Sequence, residues 1–323
     1  MIILALALLL NLAPITLFAD VVVMPYKLKA SHLQKKVKSS KKDTLYNLNL
    51  RTYRYNRSLT PNTDKSLTNS RNAIITGVAK NIAGSITNME QNIENIKKAF
   101  DKTITIIVID DNQDNTETLL RDYAKNTTDT LIYKIANKGH RTERIANARN
   151  KALDEAEKYL DEYNYLVNLD LDHRSVSTES ISNAINDEKK WSIITANTNS
   201  YYYDRWALRT ESYSTSCWEK NDNSCGQRLS RWFPDTKLNA IIPPSSPPLS
   251  VISAFGGMAI YKTKTLKTCR KYSDCIYDGH CDGGKQCSYN QNMDCEHVHF
   301  HKKLTRYTGE SVLIWPSLTI VHI

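Results

Sequence analysis

The chain has 323 residues, enough for one large domain or two small ones with a sizeable apolar core. Its 41% hydrophobic and 24% charged residues exclude wholesale disorder, while its net charge of +9 raises the question of nucleic-acid binding. The segment 27–71 alone carries twelve basic and two acidic residues, a net of +10. The basicity therefore belongs to an N-terminal arm, and no nucleic-acid partner is expected for the body that follows.

The N-terminal region predicts targeting rather than catalysis. Residues 1–23 form a nearly continuous apolar run, typical of a signal peptide or a membrane anchor. Both alternatives predict a secretory-pathway protein, lumenal or membrane-anchored, with membrane association through this segment. The Lys-rich stretch after the run would favour a cytoplasmic body if the run were an uncleaved helix, so the choice stays open. Residues 24–71 are polar with little apolar periodicity, which predicts a basic flexible stem.

Strand and helix patterns alternate through the first part of the body, which begins at residue 72. The strands are predicted at 72–80, 103–109, 129–135, 163–172 and 191–196. The helices are predicted from Ser85 to about Phe100, from Asp114 to Ala124, from Arg144 to Tyr159 and from Ser177 to Ile185. Alternation about every 30 residues predicts an α/β fold, Rossmann-like, with a mostly parallel sheet and helices on both faces.

Polar side chains stand where three of these strands end. Asn81 follows the first strand, Asp110 and Asp111 the second, and Asp170 and Asp172 the fourth. Ligands of such sheets bind beyond the carboxyl ends of the strands. Asp170 and Asp172 would point to one side of an extended strand and repel each other unless a cation lies between them. This pattern predicts a Mg²⁺ or Mn²⁺ site that holds a phosphate-bearing substrate, with a solvated strand end as the alternative.

The pattern changes after residue 200. An aromatic and charged segment at 201–209 is followed by a Pro-rich loop at 243–248 and by a strand that is entered through a glycine pair. All seven cysteines lie in this part of the chain: Cys217, Cys225, Cys269, Cys275, Cys281, Cys287 and Cys295. Four of them are spaced by six residues, which is poor spacing for zinc and favours a disulfide-stapled loop at 269–287. The connectivity stays open.

The order of these segments resembles a nucleotide-sugar glycosyltransferase of the GT-A fold. The segments that carry the resemblance are Val78-Ala-Lys-Asn81, Asp110-Asp-Asn-Gln-Asp-Asn-Thr116, Ala148-Arg-Asn-Lys-Ala-Leu153, Asp170-Leu-Asp172, Gly256-Gly257 and Asp294-Cys-Glu-His297. The segments 144–153 and 203–209 are also similar to the fungal capsule-associated mannosyltransferase family. The resemblance covers residues 72–323 and implies a nucleotide-binding half at 72–198 and an acceptor-binding half at 199–323. The cysteine-rich loop departs from the family pattern.

The resemblance implies roles for individual residues. Donor binding falls to Lys80, Asn81, Asp110, Asp111, Arg149 and Asp170. The metal ligands are Asp170 and Asp172, joined by a late histidine, His322 or His299, or by no histidine at all. The acceptor-binding residues are Tyr203, Asp204, Trp206, Gly256 and Gly257. If the reaction inverts the anomeric centre, Glu296 is the first choice for the catalytic base and Asp294 the second.

Several of these residues have a plainer interpretation. Arg149 could hold the Asp-x-Asp strand, contact phosphate or form a surface salt bridge, Trp206 could pack in the core, and Asp294 could cap a helix. The histidines at 297, 299 and 301 would share a face on a strand, where they could hold zinc, but scatter on the helix that the family pattern implies.

The expected function is metal-dependent transfer of a sugar, with mannose as a candidate, from a nucleotide-sugar donor to a glycan or glycoprotein acceptor. A metal-dependent nucleotidyltransferase is one alternative. It should carry a Gly-rich basic loop after its first strand, where this chain has only Lys80 and Gly84. A secreted, cysteine-stapled binding protein with a degenerate site is the other.

Overall fold

A computed structural model describes residues 70–173, 175–199, 202–211, 241–281 and 293–321. The predicted apolar segment 1–23, nearly all of the predicted stem, and His322 lie outside these residues. Within them, every helix is too short or too polar to cross a bilayer.

The first half of the described body alternates strands and helices as predicted. The strands are β1 (Asn72–Ala79), β2 (Lys102–Ile109), β3 (Thr130–Lys134) and β4 (Tyr165–Asp170). The helices between them are α1 (Ile86–Lys97), α2 (Thr116–Lys125) and α3 (Arg141–Glu157). The β-branched residues of β1 and β2 favour extended backbone, while the apolar residues of α1 recur at helical spacing on one buried face.

Two helix starts differ from the prediction. Ser85 was expected to cap α1, but it lies in a short 3₁₀ turn and its side chain makes no capping hydrogen bond. Helix α3 begins three residues before Arg144, because His140 and Glu143 form a capping box at its N-terminus. Histidine is an uncommon capping residue, so the sequence pattern gave no signal for this start.

The second half of the described body supplies five strands and three α-helices. Its elements are β5 (Ser175–Val176), α4 (Thr178–Asn186), β6 (Ile193–Thr198), β7 (Leu249–Val251), β8 (Met258–Lys262), α5 (Thr263–Cys269), α6 (Glu296–Thr308) and β9 (Val312–Val321).

These strands form one sheet in the order β3-β2-β1-β4-β8-β6-β9-β5, with β7 beside β9. The strands from β3 to β4 run parallel, as do β6 and β9, whereas β8 runs antiparallel to both β4 and β6. The predicted fifth strand therefore does not pair with the fourth, because β8 arrives from much later in the chain and lies between them. The parallel part places the carboxyl ends of β1, β2 and β4 side by side.

Helices cover both faces of the sheet, as predicted. On one face, α3, α5 and α6 pack against residues such as Ile74 of β1 and Ile106 of β2. On the other face, α1, α2 and α4 pack against the next residues along the same strands, Ile75 and Ile107. All four isoleucines are fully buried, and burying each stabilises the fold by about 1.5–3 kcal/mol. The ends of the central strands therefore rest on a core that is packed on both sides.

The cysteine-rich segment contains a disulfide, as expected. Cys269, at the end of α5, is bonded to Cys275. Cys295, just before α6, is a buried free thiol. The cysteines at 217, 225 and 287 lie outside the described residues.

Candidate active site

A cleft of about 700 Å³ opens at the carboxyl ends of β1, β2 and β4. The first turns of α3, the segment 203–206 and the residues that begin α6 form its other walls. Among the residues predicted for the site, the cleft is lined by Lys80, Asp110, Arg149, Asp170, Asp172, Tyr203, Asp204, Trp206 and Glu296. The polar strand ends thus converge in one crevice, as the alternating pattern predicts.

Asp170, Asp172 and His173 form a candidate metal-binding group. One ligand atom from each lies within 4.8 Å of the other two. Asp170 ends β4 and is half-buried, Asp172 is exposed, and His173 is buried. Two carboxylates and an imidazole can together hold a divalent cation. The donor set therefore fits the expected divalent metal ion.

Gly257, the residue just before β8, lies against this metal-binding group. A Cβ on Gly257, whose φ is +87°, would lie 1.9 Å from Nε2 of His173. The Nε2 atom also lies 3.3 Å from the hydroxyl of Tyr203. Only a residue without a side chain leaves room for the imidazole in this position. Gly257 therefore allows His173 to approach the carboxylates.

Arg149 ties three segments together beneath the cleft. Its guanidinium donates to Asn168 at 2.8 Å, to Asp170 at 2.7 Å and to Glu296 at 2.9 Å. It is only 4% exposed and lies over the ring of Phe255. The surface-salt-bridge interpretation is therefore wrong, and the strand-holding role is confirmed. Burial alone would raise the pKa of Asp170, but His173 and Arg149 outweigh it and lower the pKa to about 2.

The ends of β1 and β2 are joined by reciprocal hydrogen bonds. The backbone N–H of Asn81 donates to Asn112, and that of Gln113 donates to the Asn81 side chain. Asn81 adopts a left-handed φ of 54°, which asparagine tolerates better than most residues. It does not line the cleft, nor does the exposed Asp111. Asn81 and Asp111, both predicted to bind the sugar donor, therefore lie away from the cleft surface.

Asp110 reaches the cleft between basic groups. Its carboxylate accepts a hydrogen bond from Nε of Arg144 at 3.0 Å and lies 3.6 Å from the ammonium of Lys80. Arg141 and Arg144, both in the first turn of α3, also line the cleft. This end of the cleft is rich in cations that would suit a diphosphate.

Asp204 faces the same cleft from the acceptor half. Its carboxylate accepts hydrogen bonds from the backbone N–H groups of Ala207 and Gly256. Burial, followed by repulsion from Asp170, raises its pKa to about 6. Gly256 and Gly257, predicted to contact acceptor, do not line the cleft but lie against Asp204 and His173.

Trp206 fits both of its interpretations. It packs against the apolar core and also lines the cleft, where the guanidinium of Arg141 lies 5.4 Å from its ring.

The two candidate bases have different environments. Glu296, the first residue of α6, lines the cleft and is held by Arg149. Asp294 is paired with the buried Arg209 and does not line the cleft. Its carboxylate accepts from the Cys295 backbone at 2.8 Å and makes no helix-capping bond to α6. Of the two, only Glu296 reaches the cleft, and Asp294 does not cap α6.

The three late histidines scatter around α6, as expected for a helix. Nδ1 of His299 lies 3.9 Å from Asp278, and His299 does not join Asp170 and Asp172 among the described metal-binding groups. The candidate metal-binding group contains His173 in place of the predicted His299. His297 lines the cleft, whereas His301 is fully buried in the core.

Sequence reasoning missed His173, Arg141 and Arg144. His173 stands directly after Asp172, and its adjacency to the Asp-x-Asp pair was the signal available. The arginines lie on the first turn of α3, and the predicted helix started too late to place them at the cleft.

Comparison with known proteins finds a family match over part of the chain. Residues 84–213 match the family model described as Glycosyl transferase family 2. The match agrees with the α/β fold of GT-A type that the structure shows and with the expected glycosyltransferase domain. Similarity to the fungal capsule-associated mannosyltransferase family stays a prediction. A search of curated proteins found no match.

Several solved structures are similar to this chain at low identity. The crystal structure of S. aureus TarS 1-349 is 16% identical, covers 75% of this chain and 57% of that chain, and has a TM-score of 0.40. The same protein in complex with UDP-GlcNAc is 13% identical, covers 78% of this chain and 58% of that chain, and has a TM-score of 0.43. The mannosyltransferase PcManGT from Pyrobaculum calidifontis, in complex with GDP-Man and Mn²⁺, is 14% identical over 78% and 56%, with a TM-score of 0.43. This chain spans less than two thirds of each of these chains.

Proposed function

We propose that this protein transfers a sugar from a nucleotide-sugar donor to a hydroxyl of a glycan or glycoprotein acceptor, with Mn²⁺ as its metal ion. The observation that carries the proposal is the convergence of Asp170, Asp172 and His173 in a cleft of about 700 Å³. The match of residues 84–213 to a glycosyltransferase family supports it.

The charges of the cleft suit a donor that carries a diphosphate. Asp170, Asp172 and His173 would hold the metal ion, which when bound neutralises the charge of the departing nucleoside diphosphate. Lys80, Arg141 and Arg144 add cationic groups at the ends of β1 and β2. Mannose is the proposed sugar on the basis of the sequence resemblance alone.

The opposite wall suits a sugar acceptor. Tyr203 and Trp206 offer aromatic faces, and Glu296 lies among the residues that line the cleft. In an inverting reaction Glu296 would take the proton of the attacking hydroxyl. Its hydrogen bond with Arg149 holds the carboxylate in place while the acceptor binds.

Replacing Asp172 tests the metal-dependent activity. Because Asp172 is exposed, we expect Asp172→Asn to fold normally and to lose Mn²⁺-dependent release of nucleoside diphosphate from nucleotide sugars by about 100-fold or more. The assay measures nucleotide release from GDP-mannose, UDP-GlcNAc and related donors with and without Mn²⁺. Asp122→Asn, an exposed change on α2, serves as the control. Full Mn²⁺-dependent activity in Asp172→Asn would refute the proposed site.

Glu296→Gln separates the base from donor binding. The variant should bind donor and Mn²⁺ as the wild type does and lose transfer to the acceptor. If Asp204→Asn abolished transfer and Glu296→Gln did not, the base would be Asp204. Synthesis of a nucleotide sugar from a nucleoside triphosphate and a sugar phosphate would instead support the nucleotidyltransferase alternative.

A further inference from the structure

A buried histidine at the cleft wall lacks hydrogen-bond partners. His297, the second residue of α6, is 1% exposed and lines the cleft beside Cys295 and Glu296. Neither of its ring nitrogens bonds to any residue that the structure describes. Buried polar atoms are nearly always paired, because leaving them unpaired is costly. An unpaired imidazole in a substrate cleft therefore indicates a polar ligand.

The ring of His297 is held in place by its neighbours. It stacks on Phe255 with ring centroids 3.8 Å apart and meets Tyr277 edge-on at 5.4 Å. Burial and the nearby Arg149 hold the pKa of His297 well below its usual range, so the ring is neutral. A neutral imidazole offers one donor and one acceptor nitrogen. A hydroxyl, which both donates and accepts, matches these two nitrogens.

The position of Glu296 indicates which chemical group of the ligand His297 binds. Nε2 of His297 lies 3.6 Å from Oε1 of Glu296. Two groups at this spacing can each bind one of two neighbouring oxygens on a sugar ring. We propose that His297 and Glu296 form a subsite for a vicinal diol of the acceptor sugar. Glu296 binds the reacting hydroxyl and His297 binds the adjacent one, an assignment that rests on the proposed function.

His301, one turn further along α6, shows how a packing histidine in this helix is satisfied. Its Nδ1 lies 3.1 Å from the hydroxyl of Ser253, and its Nε2 lies 2.8 Å from that of Tyr261. It is as buried as His297 but does not line the cleft. The contrast sets His297 apart from an ordinary core residue.

The test compares His297→Phe with the wild type in the full chain. Phenylalanine keeps the ring stack and removes both nitrogens. The probes are methyl α-mannopyranoside and its monodeoxy derivatives, with binding measured by calorimetry in the presence of Mn²⁺ and GDP. We expect the variant to bind the parent sugar about fivefold more weakly or worse. One deoxy derivative lacks the hydroxyl that faces His297. The variant and the wild type should bind that derivative with equal affinity.

The control and the contrary outcomes separate this subsite from the proposed function. His301→Phe should lower stability and leave the preference among the deoxy sugars unchanged. Equal binding of the parent sugar by His297→Phe, no binding of any pyranoside by the wild type, or equal binding of all derivatives would each overturn the subsite. Failure of the wild type to bind nucleotide sugar with Mn²⁺ would refute the proposed function instead, since donor binding does not involve His297.

A second observation, independent of the cleft, concerns modification of the chain itself. Asn126-Thr-Thr128 is an N-glycosylation sequence, and Asn126 and Thr128 are exposed in the turn after α2. The Asn126 side chain bonds only to a carbonyl of its own helix, that of Asp122. The disulfide between Cys269 and Cys275 indicates an oxidising compartment, where such sequences are modified.

We infer that Asn126 carries an N-linked glycan. The side-chain nitrogen forms a bond to the anomeric carbon of a lipid-linked oligosaccharide and loses a proton, while the lipid diphosphate leaves. Asn126 does not line the cleft, so the glycan would not block it.

Peptide mass mapping tests this site in protein from a eukaryotic secretory host, before and after enzymatic deglycosylation. Asn126→Gln and Thr128→Ala should each abolish the glycan on this peptide. Thr127→Ala, which preserves the sequence requirement, should retain it. A second such sequence, Asn56-Arg-Ser58, lies outside the described residues, and mapping by peptide distinguishes the two. An unmodified Asn126 peptide in the wild type would overturn the inference.

Discussion

At the scale of single residues, the site depends on the space that Gly257 leaves for the ring of His173. The Asp-x-Asp pair could be predicted from the sequence because two acids follow an apolar strand. The role of His173 could not, because its position depends on Gly257, more than 80 residues later. The sequence shows that a glycine pair precedes a strand, but only the packing shows which side chain fills the space.

Gly257→Ala should weaken Mn²⁺ binding by about tenfold or more, as is typical when a residue that orients a ligand is changed. The added methyl group would occupy the place of the His173 ring. The measurement is Mn²⁺ affinity by calorimetry, with urea unfolding for stability.

Gly309→Ala provides the matched control. Gly309 also has a positive φ, +72°, but a Cβ there would meet no atom within 4 Å. This variant should lose about 1–2 kcal/mol of stability from the left-handed backbone and keep its Mn²⁺ affinity. Equal Mn²⁺ affinities of Gly257→Ala and the wild type would contradict the steric argument.

At the scale of elements, Arg149 of α3 joins β4 to the start of α6. Periodicity predicts that α3 is a long helix, but it does not show which residues Arg149 contacts, and only the resemblance pointed to the Asp-x-Asp strand. Helix packing turns it inward, where Asn168, Asp170 and Glu296 satisfy its donors. Sequence patterns thus locate the elements, while the partners of a buried charge depend on how the elements pack.

Arg149→Met should destabilise the protein by about 3–5 kcal/mol, because it leaves two carboxylates without their shared cation. The free energy of unfolding in urea measures the effect. Arg121→Met is the control, since Arg121 forms an exposed pair with Glu117 and its loss should cost about 0.5 kcal/mol or less. Similar losses in the two variants would show that Arg149 contributes no more than a surface pair.

At the scale of the whole molecule, the sequence predicts the α/β class and both helical layers from the alternation of strands and helices. It does not predict the strand order beyond β4. The segment that forms β8 has no feature that fixes its partner, and only the completed sheet places it between β4 and β6. Long-range pairing of this kind is decided by the packing of the entire sheet.

Buried histidines should make the folded protein sensitive to acid. Burial lowers the pKa of His301 to about 3, below its ordinary value of 6.5, and the pKa of His297 is lowered too. Between about pH 3 and 6.5 the unfolded chain binds more protons than the folded one. Stability should therefore fall as the pH drops below about 6.5, by up to about 1.4 kcal/mol per pH unit for each histidine.

Urea unfolding at pH 7.5, 6.5 and 5.5 measures this dependence. His301→Gln removes one of the two titrating groups and should reduce the slope between pH 6.5 and 5.5, although it lowers stability at every pH. An unchanged slope in the variant would show that His301 is not responsible.

The insertion of β8 between β4 and β6 also determines when the site can form during synthesis. The parallel strands β1 to β4 lie within the first part of the described body, and their mutual contacts can form once residue 170 has left the ribosome. The metal-binding group stays incomplete until Gly257 and β8 dock about 90 residues later. Nascent chains arrested shortly after β4 should therefore bind no Mn²⁺, while chains carried out of the ribosome on a C-terminal linker fused after β9 should. The metal-binding group can therefore form only after β8 has been synthesised and has docked between β4 and β6.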